Sequence, residues 1–250
     1  MVHEDLIAQA EKLRKDTFTA FVEQGEAHLG GSFSMIEMLI ALYEKILKRE
    51  DKFILSKAHA SFPFCLFLKE RGYDPPLTTH LEINQENGIH CTTGSLGHGL
   101  PMGTGMALAR KLQHKLGKIY VMLSDGECQE GTTWESLLIA AKYHLDNLVV
   151  LVDYNKIQAL TTLHEGLPID NLAAKFRAFN WGCAEVNDGH SYDELVPVLQ
   201  QHNNTGEPRA VIVHTTKGKG VKAFENDPRW HARKIKGEEL EIGRRELGIA

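Results

Sequence analysis

The sequence predicts an α/β fold: one doubly wound parallel sheet with helices on both faces. Three observations predict it. Short apolar runs, rich in β-branched residues, recur at 53–55, 119–123, 148–152, 183–186 and 210–215. Between them lie segments with the apolar spacing of helices, so that strand and helix alternate along the chain. Residues 119–157 have the length and pattern of a single βαβ crossover, with the helix-like segment Thr132–His144 between two apolar runs.

Taken in order, residues 4–25 place Leu6, Ile7, Ala10, Leu13, Phe18 and Phe21 on a helical period that Gly25 ends. Residues 27–34, with Gly30 and Gly31, read as a loop. Ser34 is the expected N-cap of a helix through Met35–Leu47, with Glu37 completing a capping box. A short strand at Phe53–Leu55 is followed by Ser56, which opens a helix to about Arg71. Residues 72–98 form the longest irregular stretch, and long structureless segments in compact domains are usually functional. A helix then runs from Gly99 to about Leu116. Its glycines are not a dinucleotide fingerprint, because no strand immediately precedes them. After the central unit come a loop at Lys156–Pro168, a helix at Leu172–Phe179, a strand at Cys183–Val186, a helix at Tyr192–His202 and a strand at Ala210–Thr215. Residues 216–220 read as a flexible turn, and a charged helix closes the chain near 237–247.

The chemistry concentrates where the two central strands end. Ser124, Asp125, Gly126 and Glu127 follow the first, and Asp153 and Asn155 the second, with 28 residues between Gly126 and Asn155. Adjacent parallel strands would bring Asp125 and Asn155 into the crevice where open α/β sheets bind ligands. A carboxylate, an amide oxygen and a backbone carbonyl suit Mg²⁺, which is usually held by one or two carboxylates plus substrate phosphates. Gly126 lets the backbone approach a phosphate closely. Asp-Gly alone is an ordinary turn; it is the spacing to Asn155 that turns the reading toward a metal–diphosphate site.

Composition narrows the class. The 250 residues carry 28 Lys and Arg against 33 Asp and Glu, a net charge of −5, with no basic run, so nothing favours nucleic acid as a partner. No apolar stretch reaches the length of a membrane span, and the start is not that of a signal peptide. Cys65, Cys91, Cys128 and Cys183 show no metal spacing and read as reduced thiols, which predicts a cytoplasmic protein.

The string 124–131 followed by 152–158 resembles the thiamine diphosphate fingerprint of transketolases, and the resemblance extends from about residue 5 to 245. It is carried by the segments around His28, His59, His80, 92–99, Asp188–His190 and Trp230-His231. Three positions depart from the usual pattern: Ser124 stands where the family has Gly, Ser95 where it often has Pro, and His98, which takes no role here, where many members have Gln. The resemblance implies thiamine diphosphate as cofactor, with Mg²⁺ (or Ca²⁺ or Mn²⁺) held by Asp125, Asn155 and the carbonyl of Ile157. It implies that Gly94, Ser95 and Leu96 lie against the cofactor, and that Ser124, Gly126 and Glu127 stand beside the diphosphate. His59 and His231 would contact the diphosphate or the reacting end of the sugar, and His28 and His80 the hydroxyls and carbonyl beside the carbon that is transferred. Glu130 would sit at a subunit contact. Histidine suits such work because it titrates near neutral pH and passes protons in both directions.

In the family a glutamate on a pyrimidine-binding domain activates the cofactor. Only 35 residues follow Thr215, too few for another domain. The expectation is therefore a single diphosphate-binding domain over residues 1–250. It would be the amino-terminal subunit of a split transketolase, with the pyrimidine domain on a carboxy-terminal partner chain and two copies of each. Its reaction would move a two-carbon ketol unit from a ketose to an aldose, free or phosphorylated. Two other readings stand beside it: the α subunit of a 2-oxoacid dehydrogenase or acyloin-forming enzyme, and a diphosphate-binding module without catalysis. The alternative to a split enzyme is a chain cut from a longer one, against which the capped, charged end at residues 246–250 speaks.

Overall fold

The computed structural model describes residues 3–25, 28–201 and 206–249. Ala27, at the start of the expected loop, and His202, at the end of the expected helix, lie outside the described residues. Five strands, β1 (Lys52–Leu55), β2 (Ile119–Ser124), β3 (Leu148–Tyr154), β4 (Gly182–Val186) and β5 (Arg209–His214), form one sheet in the order β1-β2-β3-β5-β4. Every pairing is parallel.

Each strand divides its side chains between two cores, because successive residues point to opposite faces. Phe53, Leu55, Tyr120, Met122, Val149 and Leu151 pack on one face. That face is covered by α1 (Glu4–Gln24), α3 (Ile36–Ala41), α4 (Ser61–Lys69), α8 (Tyr192–Gln200) and α9 (Glu238–Leu247). Ile54, Val121, Leu123, Val150, Val152 and Ile212 pack on the other, under α5 (Gly99–Leu112), α6 (Gly131–Lys142) and α7 (Leu172–Ala178). Burial on both faces accounts for the almost uninterrupted apolar runs of β2 and β3. The chain advances from β2 through α6 to β3 and through α7 to β4, then turns back through α8 to insert β5 between β3 and β4. Reversing the direction of travel puts α8 on the opposite face, as right-handed crossovers require.

The structure departs from the sequence reading at four places. Residues Leu29–Phe33 form a short helix, α2, instead of a loop. Ser34 is not an N-cap: its backbone is helical and its hydroxyl donates to the Gly31 carbonyl and to Asp153. Glu37 closes no capping box, since its carboxylate is drawn into a buried pair with Arg14. The helix through Leu47 widens to a π-helical turn at Leu42–Ile46, and Ser56 precedes a one-turn 3₁₀ helix, Ala58–Ala60, before α4 begins.

Candidate functional site

β2 and β3 pair directly, with Ser124 opposite Asp153, so their carboxyl ends open on one crevice. Asp125, the next residue, is buried, and its carboxylate accepts from the backbone N–H groups of Gly126 at 2.8 Å and Lys156 at 2.5 Å. Asn155 is fixed in one orientation. Its Nδ2 donates to Asp153 Oδ2 at 3.3 Å and its Oδ1 accepts from Ile157 N at 3.2 Å. Asp125, Asn155 and Ile157 line a single cavity together with Ser124, Gly126, Leu96, His59, His231 and Glu130.

Two imidazoles, His59 and His231, line this cavity, and a third, His28, packs beside them. The ring centroids of His59 and His231 lie 5.1 Å apart, those of His28 and His59 5.7 Å, and those of His28 and His231 5.8 Å. Burial, followed by the positive charge of Lys57, pushes the His59 pKa well below its usual value; burial and Lys217 take His231 down to about 4. Both rings are therefore neutral at pH 7, able to accept or donate through either nitrogen. Two adjacent glycines explain how α2 fits beneath them. A side chain on Gly31 would reach within 3.2 Å of His59 Nε2, and one on Gly30 within 2.8 Å of the Lys217 stem.

Four expected residues lie outside this group. His80 is exposed, and its ring packs against Gly94, where a Cβ would meet its Cδ2 at 2.3 Å. Ser95 is exposed beside His98, their side-chain Oγ and Nδ1 3.5 Å apart. Glu127 is buried under the cavity instead of lining it. Its carboxylate accepts from Ser56 Oγ, from Gly97 N at 3.0 Å and from Ser124 N at 2.9 Å, which ties the 94–98 loop to the tip of β2.

Sequence reasoning missed the charges that surround the site. Lys57 and Asp153 form an ion pair with side chains 1% and 0% exposed, and Lys57 Nζ also donates to the Gly31 carbonyl at 2.7 Å. Burial alone would raise the Asp153 carboxyl; Lys57 and the hydroxyls of Ser34 and Thr215 outweigh it and hold it below the usual range. Lys217, expected in a flexible turn, is 2% exposed and donates to the carbonyls of Ile157 at 2.8 Å and Gln158 at 3.2 Å. Burial brings its pKa down to about 8. The available signal was positional: each is a polar residue at or just beyond the tip of an apolar strand.

The donor set fits a divalent cation and a phosphate. Burial, and then the charge of Asp153, raise the Asp125 pKa to about 7, so its ionised form would be stabilised by a cation bound beside it. Carboxylate, amide and carbonyl oxygens are the hard donors that Mg²⁺, Ca²⁺ and Mn²⁺ take. Gly126 leaves open the space that a side chain would fill. At the Ile157 carbonyl a metal would share or displace the Lys217 ammonium.

Neutral buried imidazoles make the fold acid-sensitive. His59, His231 and His90, the last lowered to about 4 by burial, bind protons more readily in the unfolded chain, where the value is near 6.5. The unfolded state thus holds more protons between about pH 6.5 and 4, and stability falls as pH drops through that window. Asp125, raised to about 7, works in the opposite direction and offsets part of that loss, so the decline in melting temperature toward pH 4 is expected to be steeper in Asp125→Asn than in the wild type; an Asp125→Asn variant with the same melting point at pH 6.5 and pH 5 would contradict the buried, neutral assignment.

Comparison with known proteins places these features in context. Residues 6–250 match the family described as "Transketolase, thiamine diphosphate binding domain". The sequence is 35% identical to a 6-deoxy-6-sulfo-D-fructose transketolase subunit from a Clostridium species, over 92% of each chain. It is also 35% identical to one of the apulose-4-phosphate transketolase subunits of Actinobacillus succinogenes, over 88% of this chain and 87% of that one. Human transketolase is 30% identical over 90% of this chain, which spans 39% of that longer protein. Among solved structures, transketolase from Campylobacter jejuni superposes with a TM-score of 0.84 over 98% of this chain and 43% of its own, at 24% identity.

Proposed function

The chain belongs to the transketolase family, and from that premise we propose that it is the amino-terminal subunit of a split transketolase. It would transfer a two-carbon ketol unit from a ketose to an aldose with thiamine diphosphate and Mg²⁺. The observation that carries this reading is the single cavity in which Asp125, Asn155 and the Ile157 carbonyl lie beside the His28–His59–His231 cluster. Its span supports the split: this chain matches nearly all of two relatives named as subunits but only 39% of the human enzyme.

In this reading the chain is one diphosphate-binding domain, and a second polypeptide brings the pyrimidine domain, two copies of each forming the assembly. Asp125 and Asn155 hold the cation, and Ser124, Gly126 and Lys217 border the diphosphate. Gly94, Ser95 and Leu96 border the cofactor, with Glu127 bracing their loop, and Glu130 lies toward the companion subunit. The cofactor supplies a nucleophilic carbon that adds to a carbonyl. The protein's part is to orient the sugar and to move protons. His59 and His231, neutral and desolvated, accept or return protons at the carbonyl end of the substrate; His28 orients its hydroxyls, and His80 reaches it from the exposed rim. The substrates are sugars or sugar phosphates, a class that includes the sulfonated and branched sugars in the relatives' names.

The test is a ketol-transfer assay with the purified chain, alone and combined with a transketolase carboxy-terminal subunit encoded beside it. Activity is expected only in the combination. In that complex His28→Ala should lower turnover by about 10²-fold, the worth of one positioned hydrogen-bonding group, with cofactor affinity unchanged. Full activity of the chain alone would overturn the split-subunit reading. Turnover of 2-oxoacids in place of ketoses would assign it to the dehydrogenase branch, and cofactor binding without any turnover would leave a binding module.

A further inference from the structure

We propose that His190 is a positioning residue for Lys217, acting through the backbone of Thr216. The inference rests on the reading of the strand-tip cavity as a metal–diphosphate site. It adds a residue outside that cavity on which the site's geometry depends.

His190 ends the turn Asp188-Gly189-His190 after β4, with its side chain 7% exposed. Its Nε2 accepts the backbone N–H of Thr216 at 2.9 Å. An imidazole nitrogen that accepts carries no proton, so the proton sits on Nδ1. Nδ1 lies 3.0 Å from Glu37 Oε2, and the other oxygen of Glu37 takes Arg14 Nη2 at 2.5 Å. One tautomer and one ring orientation are thereby fixed by buried groups on α1 and α3.

The place where this rod ends gives it a function. The β5 ladder runs to His214, and Thr215 N makes a last, longer contact with the Tyr154 carbonyl at 3.3 Å. Thr216 is the first residue beyond the sheet, and Lys217 follows it into the cavity. A lysine holding its ammonium on the Ile157 carbonyl stays there only while its own backbone is fixed. The Thr216–His190 bond fixes it from one side, and Gly218 N, donating to the Gly30 carbonyl at 3.0 Å, from the other.

Two substitutions separate this role from simple packing of the Arg14–Glu37–His190 cluster. The amide of Gln reaches the place of Nε2, so His190→Gln can accept from Thr216 but loses Glu37. The shorter Asn matches Nδ1, so His190→Asn can donate to Glu37 but leaves Thr216 unheld. In the reconstituted complex, titration calorimetry with thiamine diphosphate and Mg²⁺ reads cofactor affinity, and thermal melting reads stability. His190→Ala should weaken the cofactor about tenfold, the worth of one buried hydrogen bond, with turnover at saturating cofactor little changed. His190→Gln should restore most of that affinity, and His190→Asn should not, even where its melting point is the higher of the two. Equal affinities for Gln and Asn, or affinities that follow melting temperature, would overturn the proposal. Failure of the unaltered complex to take up cofactor would instead overturn the reading of the site itself.

Discussion

Asp125→Asn is expected to abolish magnesium-dependent uptake of thiamine diphosphate while the chain stays folded. Asn has the same shape, and one of its two backbone contacts, from Gly126 N or Lys156 N, can still be accepted. What it removes is the charge. In the chain without a cation, ionised Asp125 is buried and repelled by Asp153, the two effects that raise its pKa to about 7. A divalent ion turns that unfavourable charge into a favourable one, which is why the loss should be large. Removing residues that merely orient a ligand weakens metal binding 10- to 100-fold, so losing a ligand should cost at least about 100-fold. Relief of the Asp125–Asp153 repulsion should leave the apo variant as stable as the wild type at pH 8, or more so. Calorimetry with and without Mg²⁺ measures the first and thermal melting the second. Unchanged magnesium-dependent affinity would remove Asp125 from the metal.

Lys57→Met should have the largest effect on folding. The Lys57–Asp153 pair is out of contact with water on both sides. Removing one partner of such a pair strands a buried charge and costs about 3–5 kcal/mol. For a domain of this size that lowers the melting temperature by about 6–20 °C. Asp153 would keep Ser34, Thr215 and Asn155 as donors, none of them charged. Adding Asp153→Asn to Lys57→Met removes the stranded charge, so the double variant should be markedly more stable than the sum of the single changes predicts. A single variant melting within about two degrees of the wild type would show that Asp153 is not held ionised by Lys57.

Those two experiments probe different levels of legibility. The strands were readable because burial on both faces leaves a continuous apolar run, and their order of appearance with intervening helices defines the class of fold. The meeting of Asp125 and Asn155 was readable because strand tips in a βαβ unit fall together. The buried polar network was not. Lys57 with Asp153, Lys217 with Ile157, and Glu37 with His190 join segments 96, 60 and 153 residues apart, and no local period records such a pairing. Glu37 misled for a related reason: three residues after a serine it fits a capping box, but Arg14 and His190 bind its carboxylate more strongly than a backbone N–H could. The two glycines of α2 argued against a helix by propensity. They are there because Lys217 and His59 pass too close for any side chain.

The insertion of β5 between two strands already laid down has a consequence for biosynthesis. Lys217 and His231, made after β5, line a pocket whose other imidazole, His59, is made before β2, and the His28 ring beside them is made earlier still. β3 and β4 must wait, unjoined, for the strand that pairs with both. A nascent chain therefore carries unjoined strands and half a pocket until β5 and the residues that follow it have emerged. The pocket closes only once His231 has been made, and the unfinished intermediate is the species that a chaperone would have to shield from aggregation.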